Sequence, residues 1–390
     1  MDIQLVSALI FFALMGLFLI YKRKNIEIQN IFFPIIYFAM YRTNFGIKAM
    51  DKFAKKYKRV LGIISYISIG IGFLGMALIV VSLVHNLWKV ILSPGAAPGV
   101  ALVLPFKVKG GFYVPFFYWI ISIFLIALVH EFSHGIFARL HGMKIKSSGF
   151  AFLNILVPIL PAAFVEPDEK QLQKASAKKQ LDVFSAGPFS NVLFAFIFLG
   201  LLIGLGGPVA GILDNSGVLI TGYMDSDVIY PAEMAGMGID EIITNVDSRD
   251  INSVNDFISS FNSSSPGDTM TILTDQRQYE ITLAEHPDNK SKAILGVMVQ
   301  QKTDVKQGFV GGKAVGLFLI WLLGLLYWLF VLNLGIGLFN LAPLGPIDGG
   351  RMLLVVLEKY FSKERARTIW KNVSFVMLLL VVANILISFL

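Results

Sequence analysis

His130-Glu131-Phe132-Ser133-His134 sets two imidazoles four residues apart, with a carboxylate directly after the first. On a helix, positions i and i+4 share a face, so His130 and His134 can grip one metal ion. Glu131 is then the candidate general base for hydrolysis. The motif sits inside the apolar run Phe116–Leu140, which is long enough to cross a bilayer. Ionisable side chains are costly at that depth, so their presence there points to function.

Two histidines do not complete a catalytic zinc site, which ordinarily takes three protein ligands and a water. His141, Glu166 and Asp348 are the candidates for the third, and Asp348 is preferred. It lies in Asn340-Leu341-Ala342-Pro343-Leu344-Gly345-Pro346-Ile347-Asp348-Gly349-Gly350, directly after another apolar run. Proline and glycine interrupt the helix there, and irregular backbone at membrane depth must line a cavity or a site. The plainer reading is an interhelical turn with a capping Asp. A third segment, Ala186-Gly187-Pro188-Phe189-Ser190-Asn191, falls within a further apolar run. Gly187-Pro188 predicts a locally opened helix, and Gly187 predicts close helix approach. Asn191 is a donor for a developing oxyanion or, as readily, a satisfied polar group in a packing kink.

Elements that could position these residues follow from composition. Of the 390 residues 55% are hydrophobic, and the mean hydropathy is +0.69. That fits several membrane spans and not an ordinary soluble domain. The absence of cysteine excludes disulfides, thiolate zinc sites and cysteine catalysis. The candidate spans are Ile3–Tyr21, Leu61–Val84, Phe116–Leu140, Leu181–Leu205, Ala314–Phe339 and Val373–Leu390. The first follows Met1-Asp2 with no basic segment and no small-residue cleavage site, so it reads as a retained helix. Ile31–Tyr41, which contains Pro34, is expected to be interfacial or re-entrant. Phe150–Val165, with Pro158 and Pro161, is expected to be a membrane-associated loop or short hairpin.

The net charge of +7 is explained by basic residues flanking membrane spans, without a nucleic-acid partner. Lys22–Arg59 carries ten Lys and Arg against Glu27 and Asp51, and Arg139–Asp182 and Arg351–Lys371 are also basic. These segments are expected on the cytoplasmic side, with both termini outside. Gly207–Asp304 is different, with fifteen Asp and Glu against five Lys and Arg. It reads as a soluble insert with strands near 218–224, 241–246, 270–274, 279–284 and 294–299. A short helix near 254–261 is capped by Asn252-Ser253, and a helical turn is expected at 231–236.

The three motifs, in this order, resemble the site-2 protease family of intramembrane zinc metalloproteases. The matching residues are His130, Glu131 and His134, then Ala186, Gly187, Pro188 and Asn191, then Asn340, Pro343, Asp348 and Gly349. Gly345 departs from the family's usual second proline. Pro231–Met237 with Asp240-Glu241-Ile242-Ile243 resembles the PDZ-like insert that many members carry. The expected fold class is a polytopic α-helical membrane protein of about six transmembrane helices with an inserted soluble β-rich PDZ-like domain. Its parts are an N-terminal membrane region (1–115), a first catalytic part (116–206), the extracytoplasmic insert (207–305) and a second catalytic part (306–390).

The resemblance implies one Zn2+ per chain on His130, His134 and Asp348, with Glu131 as base and Asn191 or Asn340 stabilising the oxyanion. It implies substrates that are transmembrane segments of membrane-anchored regulators, in a lipid bilayer, and a peptide or protein ligand for the insert. A proteolytically inactive adaptor that uses the insert to bind partners is the alternative, and a solute transporter is another. Paired halves, which transporters of this size often show, are not visible in the sequence.

Overall fold

The computed structural model describes residues 3–32, 36–92, 101–106, 108, 111–155, 157–224, 228–287 and 289–387. The chain divides into two compact units, Met1–Ile203 with Leu323–Leu390, and Gly204–Leu322. In chain order the first unit supplies α1 (Ile3–Tyr21), β1 (Ile26–Phe32), β2 (Ile36–Thr43), α2 (Ile47–Lys56) and α3 (Lys58–Leu92). It continues with β3 (Val103–Leu104), β4 (Phe112–Tyr113), α4 (Phe116–Leu140), β5 (Ile145–Ile155), β6 (Val157–Pro167), α5 (Glu169–Lys174) and α6 (Ala177–Ala210). The second unit holds β7 (Leu213–Tyr223), α7 (Pro231–Met234), β8 (Ile242–Val246), β9 (Arg249–Asp250), α8 (Val254–Ser260) and β10 (Thr269–Thr274). Then come β11 (Gln278–Thr282), β12 (Ala284–His286), β13 (Asn289–Ile294) and β14 (Val297–Val305). Helix α9 (Gly312–Phe339) returns the chain to the first unit, which ends with α10 (Asp348–Tyr360) and α11 (Lys363–Ile387).

Five helices among the described residues, α3, α4, α6, α9 and α11, are long and apolar enough to cross a membrane. The remaining expected span, Ile3–Tyr21, coincides with α1, whose apolar stretch Val6–Tyr21 is shorter. Several helices outrun their apolar windows. α11 starts at Lys363, well before Val373, because its Lys, Arg and Glu flank has good helix propensity. The tail of that expected span, 388–390, lies outside the described residues, as do Met1, Asp2 and Pro34.

The first unit contains an antiparallel sheet in the order β1-β2-β5-β6. It gives Ile36–Tyr41, part of the segment expected to be interfacial or re-entrant, the form of a strand, and it enlarges the short hairpin expected at Phe150–Val165. β2 pairs with β5 from Ile36↔Ile155 to Thr43↔Ser148. Each segment alone would leave its backbone polar groups unpaired in an apolar setting, and pairing across the chain satisfies them. Among the described residues β6 is an edge strand with one strand neighbour, and it carries Pro158, Pro161 and Pro167, which an edge tolerates.

Small residues set the helix packing. Ser65, Ser68, Gly72 and Gly75 form one buried face of α3. A Cβ on Gly75 would sit 2.4 Å from Leu341 Cδ1, and one on Gly72 would sit 2.6 Å from Met352 Cε. The second expected span therefore braces the segment that carries Asp348, a role for which the sequence offers no motif. α2 lies on α4 through buried Met50, because Gly135 leaves room; a Cβ there would be 2.4 Å from Met50 Sδ.

The second unit is a sheet in the order β11-β10-β8-β7-β14, with β9 on β8. Its core includes Val218, Ile220, Met237, Ile243 and Ile272. α8 begins with a capping box in which the Ser253 hydroxyl accepts from the Asp256 amide and the Asp256 carboxylate accepts from the Ser253 amide. Strands are present at four of the five expected runs, and the fifth, 294–299, divides between the end of β13 and the start of β14. β7 starts earlier than expected, at Leu213, and the small β12–β13 ribbon is additional.

Candidate metal centre

α4 places His130 and His134 one turn apart on one face, with their Nε2 atoms 3.0 Å from each other. Buried Asp348, the first residue of α10, brings Oδ2 to 3.0 Å from His130 Nε2 and 3.3 Å from His134 Nε2. Asp348 is set by its two following glycines. The Gly349 amide donates to the Asn340 carbonyl at 2.8 Å. A Cβ on Gly349 would lie 2.1 Å from the Leu341 carbonyl oxygen, and one on Gly350 would lie 2.4 Å from that of Leu344. Only glycine permits this backbone approach, so the start of α10 can tuck under the turn and direct its first side chain inward.

His134 Nδ1 lies 2.7 Å from the Val183 carbonyl oxygen, which can only accept. A proton is therefore on Nδ1, and in the neutral ring the Nε2 lone pair faces Asp348 Oδ2. Two acceptors facing each other at 3.3 Å require a proton or a metal ion between them. For tetrahedral zinc with ligand bonds of about 2.0–2.1 Å, neighbouring ligand atoms lie about 3.3 Å apart. Two nitrogens and a carboxylate oxygen at 3.0–3.3 Å therefore suit a zinc ion, and the donor set is one that zinc accepts.

α6 supplies the space. A Cβ at Gly187 would stand 2.4 Å from His134 Nε2 and 2.6 Å from His130 Nε2, so glycine leaves the volume beside the ligand nitrogens clear. Contrary to the opened helix expected there, α6 runs unbroken through Gly187-Pro188. Proline removes one N–H, the rest of the ladder holds, and Ser190 Oγ adds a bond to the Gly187 carbonyl at 2.7 Å. Glu131 follows His130 and accepts the Val165 amide of β6 on Oε2 at 3.0 Å. It lines a chamber of about 520 Å3 together with His130, His134, Asp348, Asn340 and Arg351.

The other candidates have other partners. His141 Nε2 lies 2.8 Å from Oδ2 of Asp182, a fully buried carboxylate that also takes Lys178 Nζ at 2.8 Å. Glu166 pairs with Arg42 and accepts from Ser147 Oγ at 2.8 Å. Asn191 is fully buried with Nδ2 3.1 Å from His130 Nδ1, and Asn340 lines the chamber. Sequence reading did not find the Val183 carbonyl or the Val165 amide, since any residue type supplies either group. It assigned Gly187 to helix packing, and the glycine in Ala-Gly-Pro was the available signal for its role beside the ligands.

Residues 118–382 match the model of Peptidase family M50, which covers more than half of the chain. The chain is 31% identical over 317 residues to an uncharacterized protein of Methanocaldococcus jannaschii, covering 80% of this chain and 75% of that one. A zinc metalloprotease of the same organism is 46% identical over 59 residues, 14% of this chain and 17% of the other. A putative zinc metalloprotease of Streptococcus pyogenes is 23% identical over 234 residues, covering 50% of this chain and 54% of its own length. Among solved structures, the PDZ domain of an SdrC-like protein from Listeria monocytogenes matches 22% of this chain and 87% of its own length, at 25% identity and a TM-score of 0.19. On its motifs, on the convergence of His130, His134 and Asp348, and on the match across 118–382, the chain belongs to peptidase family M50, the site-2 protease family.

Proposed function

We propose that the protein is a zinc-dependent intramembrane endopeptidase that cleaves transmembrane segments of membrane-anchored regulatory proteins. The reading rests on one observation above the rest. Three candidate ligand atoms and a second carboxylate, Glu131, that stands outside that set meet in one chamber lined by helices of membrane-spanning length. A structural metal site has no use for Glu131.

Zinc, when bound, would polarise the scissile carbonyl and acidify water. His130, His134 and Asp348 would hold it. Glu131, fixed by the Val165 amide on Oε2, has Oε1 to take a proton from the attacking water and pass it to the leaving amine. Asn340, or Asn191, is the candidate donor to the oxyanion. A helical substrate hides its carbonyls and must unwind before attack. The outer edge of β6 borders the chamber at Phe164–Pro167 and offers backbone groups beside which an unwound segment can lie extended. In this reading the basic segments and the site face the cytoplasm, the second unit lies outside as a PDZ-like domain that binds or sorts substrates, and α1 completes six crossings.

The test is Glu131→Gln in purified protein reconstituted with a membrane-embedded reporter substrate. Turnover is expected to fall by about 10²–10⁴-fold while zinc content stays at that of the unaltered protein. Cleavage by the unaltered protein that Glu131→Gln leaves intact would remove Glu131 from the chemistry. No cleavage by either, with zinc present, would favour the adaptor.

A further inference from the structure

We infer that Asn191 is a positioning residue whose side-chain oxygen accepts the Nδ1 proton of His130, so fixing the tautomer in which His130 can bind a metal through Nε2. The inference rests on the metal-site reading above. It gives Asn191 a role distinct from oxyanion stabilisation.

A neutral imidazole carries one proton, and a nitrogen that ligates a metal must be the one without it. His130 Nε2 is the atom that points at His134 Nε2 and Asp348 Oδ2, both at 3.0 Å. Its Nδ1 must then carry the proton, and with the side chain only 12% exposed that proton needs an acceptor. Among the described residues, the group facing His130 Nδ1 is the Asn191 amide, with Nδ2 at 3.1 Å. In that orientation an N–H₂ group opposes an N–H, and Asn191 Oδ1 is one of the few buried side-chain oxygens without a hydrogen-bond partner. A half-turn of the amide exchanges the two atoms at no change in shape. It brings Oδ1 to Nδ1–H, removes the clash of donors and gives that oxygen a partner, with the amide N–H₂ turned to the place the oxygen had.

The two histidines then have matching outer partners, the Val183 carbonyl for His134 and the Asn191 side-chain carbonyl for His130. Both partners come from α6. Asn191 is fully buried, and α9 presses on it where Gly337 leaves space; a Cβ at Gly337 would meet Asn191 Cβ at 3.0 Å. The amide is thereby confined to the neighbourhood of the ring. Outer partners of this kind orient the ligand and raise its basicity.

The test compares Asn191→Asp and Asn191→Leu with the unaltered full-length protein in detergent. Cobalt(II) serves as spectroscopic probe, and zinc affinity is measured by competition with a chelator. Asp can only accept, so Asn191→Asp is expected to keep the visible cobalt spectrum and to bind zinc as tightly as the unaltered protein or tighter. Leu has the shape without the acceptor, and Asn191→Leu is expected to bind about 10–100-fold more weakly. Loss of affinity in Asn191→Asp would overturn the inference, because it would mean that a donor is needed at this position; this arm holds even if Asn191→Leu fails to fold. Unchanged affinity in a folded Asn191→Leu would overturn it too. Failure of the unaltered protein to bind cobalt or zinc would instead sink the metal-site reading itself.

Discussion

Asp348 in the first unit and Glu241 in the second are both buried carboxylates, and their surroundings differ in kind. Glu241, 1% exposed, is closed by protein. Thr274 Oγ1 donates to it at 2.7 Å, the Tyr279 hydroxyl reaches both oxygens at 2.8 and 2.9 Å, and the Gly238 amide donates at 3.0 Å. Asp348 Oδ2 instead faces two histidine nitrogens, at least one of which presents a lone pair. A buried charge whose lone pairs are all met by fixed donors rigidifies a fold. One that faces other acceptors waits for a cation. Burial alone thus separates neither case, and the donor inventory around the carboxylate does.

Three experiments sharpen the contrast. The largest effect is expected for Asp348→Ala, which removes one of three ligands. Zinc binding should weaken by more than the roughly 100-fold typical of the worst outer-partner losses, as measured by metal content after dialysis. Zinc held at full affinity would return Glu166 and His141 to consideration. Gly187→Ala comes next. Its Cβ has no room beside the two Nε2 atoms, so zinc affinity should drop at least about tenfold while helicity is unchanged, alanine being the better helix former. Full zinc content in this variant would mean that α6 can shift away from α4.

The smallest effect belongs to the closed site. Glu241→Gln should destabilise the second unit by about 1–3 kcal/mol, since its donors lose a charged acceptor. It should leave zinc content untouched. Protonation probes the same carboxylate. Burial opposes ionisation of Glu241, yet the hydrogen bonds from Thr274, Tyr279 and the Gly238 amide outweigh it and hold the carboxyl below the usual range. A depressed folded pKa contributes stability that is present above the unfolded value, near about 4.3, and is lost as pH falls through the folded one. Thermal unfolding of the second unit followed below about pH 4 should show that loss in the unaltered protein and a flatter profile in Glu241→Gln. Identical profiles would show that the contacts to Glu241 contribute nothing beyond its packing.

Much of the site is legible in the order of the amino acids. His130, Glu131 and His134 follow from local helix geometry, which fixes positions i and i+4 whatever surrounds them. Asp348 is legible less directly, as the charged residue in a helix-breaking segment where apolar backbone has to line something. The insert shows itself by its acidic charge and its alternating strands, and Ser253 by its place before a short amphipathic run. The sheet of the first unit is not legible as a sheet, because β2 and β5 are joined by pairs such as Arg42↔Gly149 that lie far apart in sequence. No local pattern encodes which distant edge a strand will meet.

What the sequence by itself determined is the chemistry available: two histidines on one helix face, a carboxylate beside the first, no thiol to compete, and a surrounding helix long and apolar enough to cross a membrane. What only the tertiary structure decided is how that chemistry is aimed. The crossing of α4 and α6 hands Val183 and Asn191 to the two histidines and sets Gly187 beside their nitrogens. The edge of β6 gives its Val165 amide to Glu131, and α3 braces the turn that delivers Asp348. These contacts use backbone atoms and missing side chains. Such groups are common to every residue or absent from one, so their meaning arises from distance alone, and distance between remote segments is set by packing.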